Sequence, residues 1–176
     1  MTHIRSALLP LLFLSLAACG DPRDDFTGRF GYTGTWTYHF LDANIEQDAA
    51  GELVVTADAS ESKRVDMSFS CGLSADLADD ALSIIRKSCP FETGDDCVSA
   101  KANFARGTVY VDEDELTLAA SGIIEFRCGA NGINGNLPFG LELKGIRGAR
   151  PPSQPGQAGL DEVLRQWKAQ GSPEPR

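Results

Sequence analysis

The sequence has little of the chemistry on which enzymes and metal proteins depend. It contains two histidines, and His39 is the only one beyond residue 18. A histidine general base would have to be His39, but no G-x-S-x-G nucleophile motif accompanies it. No two cysteines have C-x-x-C spacing, so a zinc site is not predicted. The sequence therefore predicts neither an enzyme nor a cofactor.

Basic residues are also scarce, since 16 Lys and Arg stand against 25 Asp and Glu and give a formal net charge of −9. Nucleic acid repels a protein of this charge, so we expect no nucleic-acid partner. The consecutive acidic residues at 112–115 lack the spacing and the glycine of an EF-hand calcium loop. Such a run is typical of a turn that keeps sheet edges apart.

The apolar run near the N-terminus is too short for a membrane-spanning helix. It covers 7–16, whereas a span needs roughly 18 apolar residues. The basic residue Arg5 precedes the run and small residues follow it, an arrangement typical of an export signal. We therefore predict that 1–18 is a signal peptide, which is removed from the mature chain.

Residues 16–19, Leu-Ala-Ala-Cys, resemble the lipobox of bacterial lipoproteins. The resemblance implies that Cys19 begins the mature protein and carries diacylglycerol and a fatty acid such as palmitate. Each buried CH₂ of an acyl chain contributes about 0.8 kcal/mol, so several chains anchor a protein to a membrane almost permanently. Gly20 stands where enteric lipoproteins of the inner membrane have aspartate, which favours the outer membrane. We expect a lipid-anchored protein of the bacterial cell envelope, with 19–25 as its tether.

The clearest pattern in the sequence is a strict alternation at 26–41. Its odd positions are mainly threonine, and its even positions carry six aromatic residues: Phe26, Phe30, Tyr32, Trp36, Tyr38 and Phe40. The pattern predicts a strand with a buried aromatic face and a solvent-exposed threonine face. Alternation or short apolar runs predict further strands at 53–57, 65–77, 82–85, 97–111, 116–128 and 137–143.

The predicted strands follow one another through short turns, with no crossover helix between them. The sequence therefore predicts an all-β domain at 26–148, an antiparallel up-and-down meander of about seven or eight strands. A barrel-like, closed sheet is favoured over a sandwich, and Gly28 and Gly34 permit the coiling that closure requires. Gly107 is a candidate β-bulge.

Four cysteines follow Cys19, and an even number in an oxidising compartment indicates two disulfides. A two-residue turn at 112–113 would place Val109 opposite Leu116 and Cys97 opposite Cys128. A three-residue turn at 79–81 would place Cys71 opposite Cys89. We predict these two pairs, and a bond between Cys71 and Cys97 remains the alternative.

The C-terminal region changes composition. Residues 149–159 are rich in Pro, Gly and Gln and predict a linker, and 171–176 predicts a disordered tail. Between them, 160–170 has apolar residues at helical spacing: Leu160, Val163, Leu164 and Trp167. A helix this short is marginal alone, so it must dock. Packing on the β-domain is favoured, and binding of a partner or of the membrane surface by these four residues is the alternative.

The tripeptide Gly34-Thr35-Trp36 resembles the G-x-W motif of the lipocalins. In that family the tryptophan closes one end of the barrel beneath an arginine near the last strand, and Arg147 stands at the corresponding place. The resemblance implies a lipocalin-like shape in which Trp36 and Arg147 form the closing pair. The Cys content, short turns and the run 145–148 look more like uncharacterised small β-rich lipoproteins of Gram-negative bacteria, which implies an envelope location.

These observations together predict a non-enzymatic cell-envelope lipoprotein that acts as an interaction or structural module. The alternative is a lipocalin-like carrier of a small apolar ligand, because a ring of about eight strands has an interior that either fills with side chains or holds one small molecule.

Overall fold

The computed structural model describes residues 20–93, 97–128, 133–152 and 160–169. These residues form nine β-strands and one helix: β1 Gly28–His39, β2 Asn44–Ala57, β3 Arg64–Met67, β4 Leu73–Ala78, β5 Ala81–Ile84, β6 Lys87–Pro90, β7 Cys97–Asp112, β8 Glu115–Cys128, β9 Ile133–Arg147 and α1 Leu160–Ala169. The predicted signal peptide, Cys19, most of the linker and the tail lie outside the described residues.

All nine strands belong to one antiparallel sheet with the order β5-β4-β3-β2-β1-β9-β8-β7-β6. Leu82 and Ser83 of β5 also pair with Val109 and Thr108 of β7, and this seam closes eight of the strands into a ring. β6 pairs with another part of β7. The predicted all-β antiparallel meander with a short C-terminal helix is confirmed, with nine strands in the described residues instead of seven or eight.

The alternation in β1 arises because successive side chains of a strand point to opposite faces. Phe30 and Tyr38 are fully buried inside the ring, and Trp36 is 3% exposed. Thr33 and His39 lie on the outer face and are exposed. The predicted aromatic interior face of this strand is confirmed.

The single long strand predicted at 65–77 is wrong, because the chain reverses in its middle. β3 and β4 form a hairpin whose turn contains Ser70 and Gly72, both with positive φ (55° and 78°). Gly72 adopts this conformation without steric cost, as a residue with no Cβ can. The hydrophobic alternation keeps its phase through the turn, so the sequence pattern does not reveal the reversal.

Two further strands differ from the sequence prediction. β2 begins at Asn44, nine residues before the predicted start at 53. Its first half has one large apolar residue on the inner face, Ile45, followed there by Gln47, Ala49 and Gly51, so it lacks the repeated large apolar side chains that mark a strand. β6 lies between the strands predicted at 82–85 and 97–111, where no strand was predicted, and its four residues are too few to show a period.

The β7–β8 hairpin turns one residue later than the sequence suggested. Asp112 pairs with Glu115, and Val109 lies opposite Leu118, so the predicted pairing of Val109 with Leu116 is wrong. The pairing is thus displaced by two positions at the turn.

Two irregularities in β7 remove this displacement between the turn and the first residue of the strand, Cys97. The register shifts once between Phe104 and Arg106 and once between Cys97 and Ser99, which brings Cys97 opposite Cys128. Gly107, the predicted bulge, is paired regularly beside the first shift. A Cβ there would lie 2.6 Å from Cδ1 of Ile84, so glycine permits the close approach of β5 at the seam.

Both predicted disulfides are present, Cys71–Cys89 and Cys97–Cys128. The second joins directly paired strands. The first does not arise from the register that predicted it, because Ala78 pairs with Ala81 around a two-residue turn. Cys71 instead lies in the β3–β4 turn and reaches β6, which carries Cys89. This bond connects the β3–β4 hairpin to β6, which pairs with β7 beyond the seam where β5 pairs with the same strand.

Candidate functional site

The interior of the ring is occupied by an aromatic cluster around Trp36. Five rings have centroids between 5.1 and 6.2 Å from that of Trp36: Tyr38, Phe69, Phe91, Phe104 and Phe139. They come from five separate parts of the chain, and all are buried. Burial raises the pKa of the Tyr38 hydroxyl well above its usual range. The space in which a lipocalin-like carrier would hold a ligand is thus filled with side chains along this part of the ring.

One polar side chain reaches into this interior from β2. The Tyr38 hydroxyl donates a long hydrogen bond, 3.4 Å, to Oε1 of Gln47. The Nε2 atom of Gln47 is buried and has no hydrogen-bond partner. An unpaired buried donor costs about 1–3 kcal/mol, so Gln47 is a local weakness in an otherwise apolar interior.

The structure does not bring Trp36 and Arg147 together. The sheet register places Arg147 opposite Phe30 and Trp36 opposite Leu141. The guanidinium carbon of Arg147 lies 4.8 Å from the centroid of the Phe30 ring. The predicted closing pair of Trp36 and Arg147 is therefore wrong. Arg147 covers the side chain of Phe30 instead, at one end of the closed sheet.

Arg147 also fastens the segment that precedes β1. Its Nη1 donates to the carbonyl oxygen of Thr27, and its Nη2 donates to the carbonyl oxygen of Asp25 at 2.7 Å. Its Nε lies 3.5 Å from Oδ1 of Asp114 in the β7–β8 turn. These contacts join the chain start, the last strand and an acidic turn at the same end of the ring, which we call the proximal end.

The residues before β1 are folded, although the sequence predicted 19–25 as a tether. Residues 22–26 form a turn, and Phe26 is buried. The guanidinium of Arg23 donates to the carbonyl oxygens of Asp58 and Glu61, each at 2.8 Å. The Asp21 carboxylate accepts from the same guanidinium at 2.6 Å, which lowers its pKa to about 2. From Asp21 onward, the described chain is therefore held at the proximal end.

The helix α1 docks at the other end, which we call the distal end. Leu160 and Val163 are fully buried. The Trp167 ring stacks on Phe40 with centroids 4.7 Å apart, and its Nε1 donates to Oδ1 of Asp42 at 2.9 Å. The chain's own sheet therefore occupies the apolar face that was a candidate for partner binding. Packing on the β-domain, the favoured interpretation, is confirmed.

The remaining polar candidates do not form a catalytic arrangement. His39 is exposed, and its Nδ1 lies 3.0 Å from Oδ1 of Asn44. A shallow groove of about 440 Å³ runs past Tyr110, Ile146 and the acidic turn at 112–115. Across the described ranges, no three His, Cys, Asp or Glu side chains are grouped so that they could hold a metal ion. In the same ranges, no helix is long and apolar enough to cross a membrane.

The first half of β2 has a backbone edge to which no other described strand pairs. β3 covers β2 only at Val55–Ala57, and the next outward bonds run between Val54 and Ser68. In an antiparallel pair, the outward-pointing N–H and C=O groups belong to every second residue. They therefore belong to Glu46, Asp48, Ala50 and Glu52, and we call this stretch the open edge.

The sequence analysis missed both the open edge and the fastening of the chain start by Arg23. The signal for the edge was present, since the acidic residues at 46, 48 and 52 alternate with uncharged ones. No protein-family model matches the chain, and no curated protein is similar to it in sequence.

Proposed function

We propose that this chain is a non-enzymatic lipoprotein of the bacterial cell envelope, anchored at the outer membrane by Cys19, which acts through its outer surface as an interaction or structural module. The observation that carries the proposal is the filled interior: Trp36 contacts five aromatic rings where a carrier would need space. A protein of this kind meets its partners on its outer faces and edges.

The anchor rests on the lipobox residues and on the fold of the chain start. Gly20 and Asp21 lead directly into the turn that Arg23 fastens to the proximal end. Acyl chains on Cys19 would hold this end near the bilayer and leave the distal end pointing away. The acidic turn at 112–115 also lies at the proximal end, and it would be kept off anionic headgroups by repulsion.

Metabolic labelling with an alkyne analogue of palmitate tests the anchor. The expected result is a labelled wild-type protein in the membrane fraction and an unlabelled Cys19→Ala variant outside it. Cys71→Ala with Cys89→Ala is the matched control, because it removes two other cysteines, which form a disulfide, and leaves the lipobox intact. Equal labelling of wild type and Cys19→Ala would refute the anchor.

Titration with a dye whose fluorescence increases in apolar pockets distinguishes an interaction module from a carrier of a small apolar ligand. We expect no saturable increase in fluorescence, since aromatic side chains fill the interior around Trp36. Saturable binding that Ala49→Trp, a bulky residue on the inner face of β2, abolishes would instead establish an internal ligand site and favour the carrier.

A further inference from the structure

We propose that the open edge of β2 binds an extended, basic peptide segment by adding it to the sheet as a further strand. This inference rests on the proposed function, because it names the surface through which the module would act. Extended peptides bind exposed sheet edges through backbone hydrogen bonds, and side chains at alternate positions provide specificity.

On its outward side, the backbone of the open edge pairs with no described strand, and α1, which contacts β2, docks beside its distal end. Its inner partner β1 holds it in an uninterrupted register from Gly28 opposite Val55 to His39 opposite Asn44. The edge contains no proline and no bulge, which are two devices that block strand addition in other proteins. The ten residues at 44–53 exceed the usual strand of about five or six, so the edge is long enough for several backbone bonds.

The side chains of the edge select the charge of the occupant. Glu46, Asp48 and Glu52 point to the outer face and are exposed. Arg29 forms an exposed ion pair with Glu52 at 3.1 Å, so the acids at 46 and 48 carry most of the uncompensated charge. Residues directly opposite each other on neighbouring strands interact, and opposite charges stabilise the pair. An added strand with Lys or Arg at alternate positions therefore matches this edge.

The same charges disfavour a second copy of this chain as the occupant. Two open edges paired antiparallel about Asp48 would place that carboxylate opposite its own counterpart, with Glu46 of each copy on the diagonal. Pairing in parallel and in register would place all three acids opposite identical acids. Like charges directly opposite each other are destabilising, so the edge favours a basic partner over self-association.

The test measures binding of a blocked peptide of repeating Lys-Thr to the purified full chain by calorimetry, with hydrogen exchange as a second readout. We expect saturable binding and slower exchange of the amides of Glu46, Asp48, Ala50 and Glu52. A peptide of repeating Glu-Thr has the same strand propensity pattern and the opposite charge, and it should not bind. Absence of binding by the Lys-Thr peptide overturns the proposal.

Two variants separate strand addition from simple charge attraction. Ala50→Pro removes one outward N–H without altering any charge, and its matched control Ala50→Ser keeps that donor. We expect Ala50→Pro to weaken binding by roughly tenfold or more, while Ala50→Ser binds as wild type does. The double variant Glu46→Gln, Asp48→Asn should weaken binding and reduce its dependence on salt.

Binding that survives Ala50→Pro unchanged, in a protein whose circular dichroism is that of wild type, would show charge attraction alone and overturn the proposal. If Ala50→Pro does not fold, the exchange pattern of the wild-type complex decides: protection outside the open edge overturns the proposal, and protection confined to it supports the proposal. The labelling and dye experiments do not involve this edge, so the anchor and the filled interior can stand if strand addition fails.

Discussion

Gln47 is a polar residue on the otherwise apolar inner face of β2. Ile45 and Leu53 on the same inner face of β2 are buried and apolar, whereas Gln47 brings an amide among aromatic rings. Its Oε1 accepts from Tyr38, but its buried Nε2 has no partner. A residue that lowers stability in this way is a natural point at which substitution can raise it.

We expect Gln47→Met to raise the free energy of unfolding by about 1 kcal/mol, because it removes the unpaired donor and keeps a side chain of similar length. The loss of the long bond from Tyr38 offsets part of the gain. Urea denaturation measures the change, and Gln47→Glu is the control that should lower stability, since it would place a carboxylate in the same site. A less stable Gln47→Met protein would contradict this account of Nε2.

The position of Arg147 could be predicted only in part from the sequence. The lipocalin resemblance implied that Arg147 would cover Trp36, whereas Arg147 lies over Phe30. All the aromatic residues of β1 share one face, so spacing alone cannot show which of them lies beneath the arginine. The register of β1 with β9 decides in favour of Phe30.

At the scale of elements, one ion pair is among the contacts that hold the turn before β1. Asp21 and Arg23 hold each other, and Arg23 at the same time holds the β2–β3 connection. The folded pKa of Asp21, about 2, is lower than the roughly 3.9 of an unfolded aspartate. Its contribution to docking is therefore fully present above about pH 4 and is lost as the pH falls toward 2.

We expect the turn to loosen between about pH 4 and pH 2 while the sheet remains folded. Carbon NMR of the Asp21 carboxyl group should report a pKa near 2, and the Arg23 and Phe26 amides should lose protection, relative to their intrinsic exchange rates, over the same interval. The Asp21→Asn variant has no carboxylate to protonate, so this step should be absent from it. A step of equal size in Asp21→Asn would assign the transition to other groups.

The helix α1 is held by its contacts with the distal end. Trp167 contributes a stacked ring and a hydrogen bond there, and the ring is partly buried. We expect Trp167→Ala to lower the free energy of unfolding by about 2 kcal/mol, less than the loss for a fully buried tryptophan. Arg165→Ala on the exposed side of α1 is the control and should change stability by less than about 0.5 kcal/mol. Thermal or urea unfolding of both variants makes the comparison, and equal effects would argue against docking by Trp167.

The strands could be predicted where large apolar residues alternate with polar ones in the sequence. β1, β7, β8 and β9 carry large apolar side chains on one face, and their positions followed from the sequence. The β3–β4 turn was hidden because the alternation continues in phase through Ser70 and Gly72. The Cys97–Cys128 pair was predicted from a wrong turn, and two register shifts in β7 brought the cysteines together.

At the scale of the molecule, the two ends of the ring have different attachments. The chain start is fastened at the proximal end, where β1 begins, and α1 docks beside Phe40, just beyond the end of β1. β1 has 12 residues, which corresponds to roughly 40 Å at about 3.3 Å per residue. A lipid on Cys19 would therefore place Trp167 far from the bilayer surface.

We expect the tryptophan fluorescence of the lipidated chain to be unaffected by vesicles with brominated acyl chains. Bromine atoms quench only fluorophores at bilayer depth, and Trp36 and Trp167 lie inside the ring and at its distal end. An Asp24→Trp variant adds a fluorophore beside the anchor and should show more quenching, which provides the positive control. Quenching of wild type that disappears in Trp167→Phe would show that the distal end faces the membrane.

The sequence by itself determined the strand class, the inward set of aromatic residues and the even cysteine count, because these depend on the period of a strand and on composition. Tertiary structure alone decided the closure of β5 against β7, the arginine cover on Phe30, the docking site of α1 and the open edge of β2. Each of these depends on which distant segments become neighbours. A local pattern specifies the face on which a side chain lies, whereas the register and order of strands specify what that face meets.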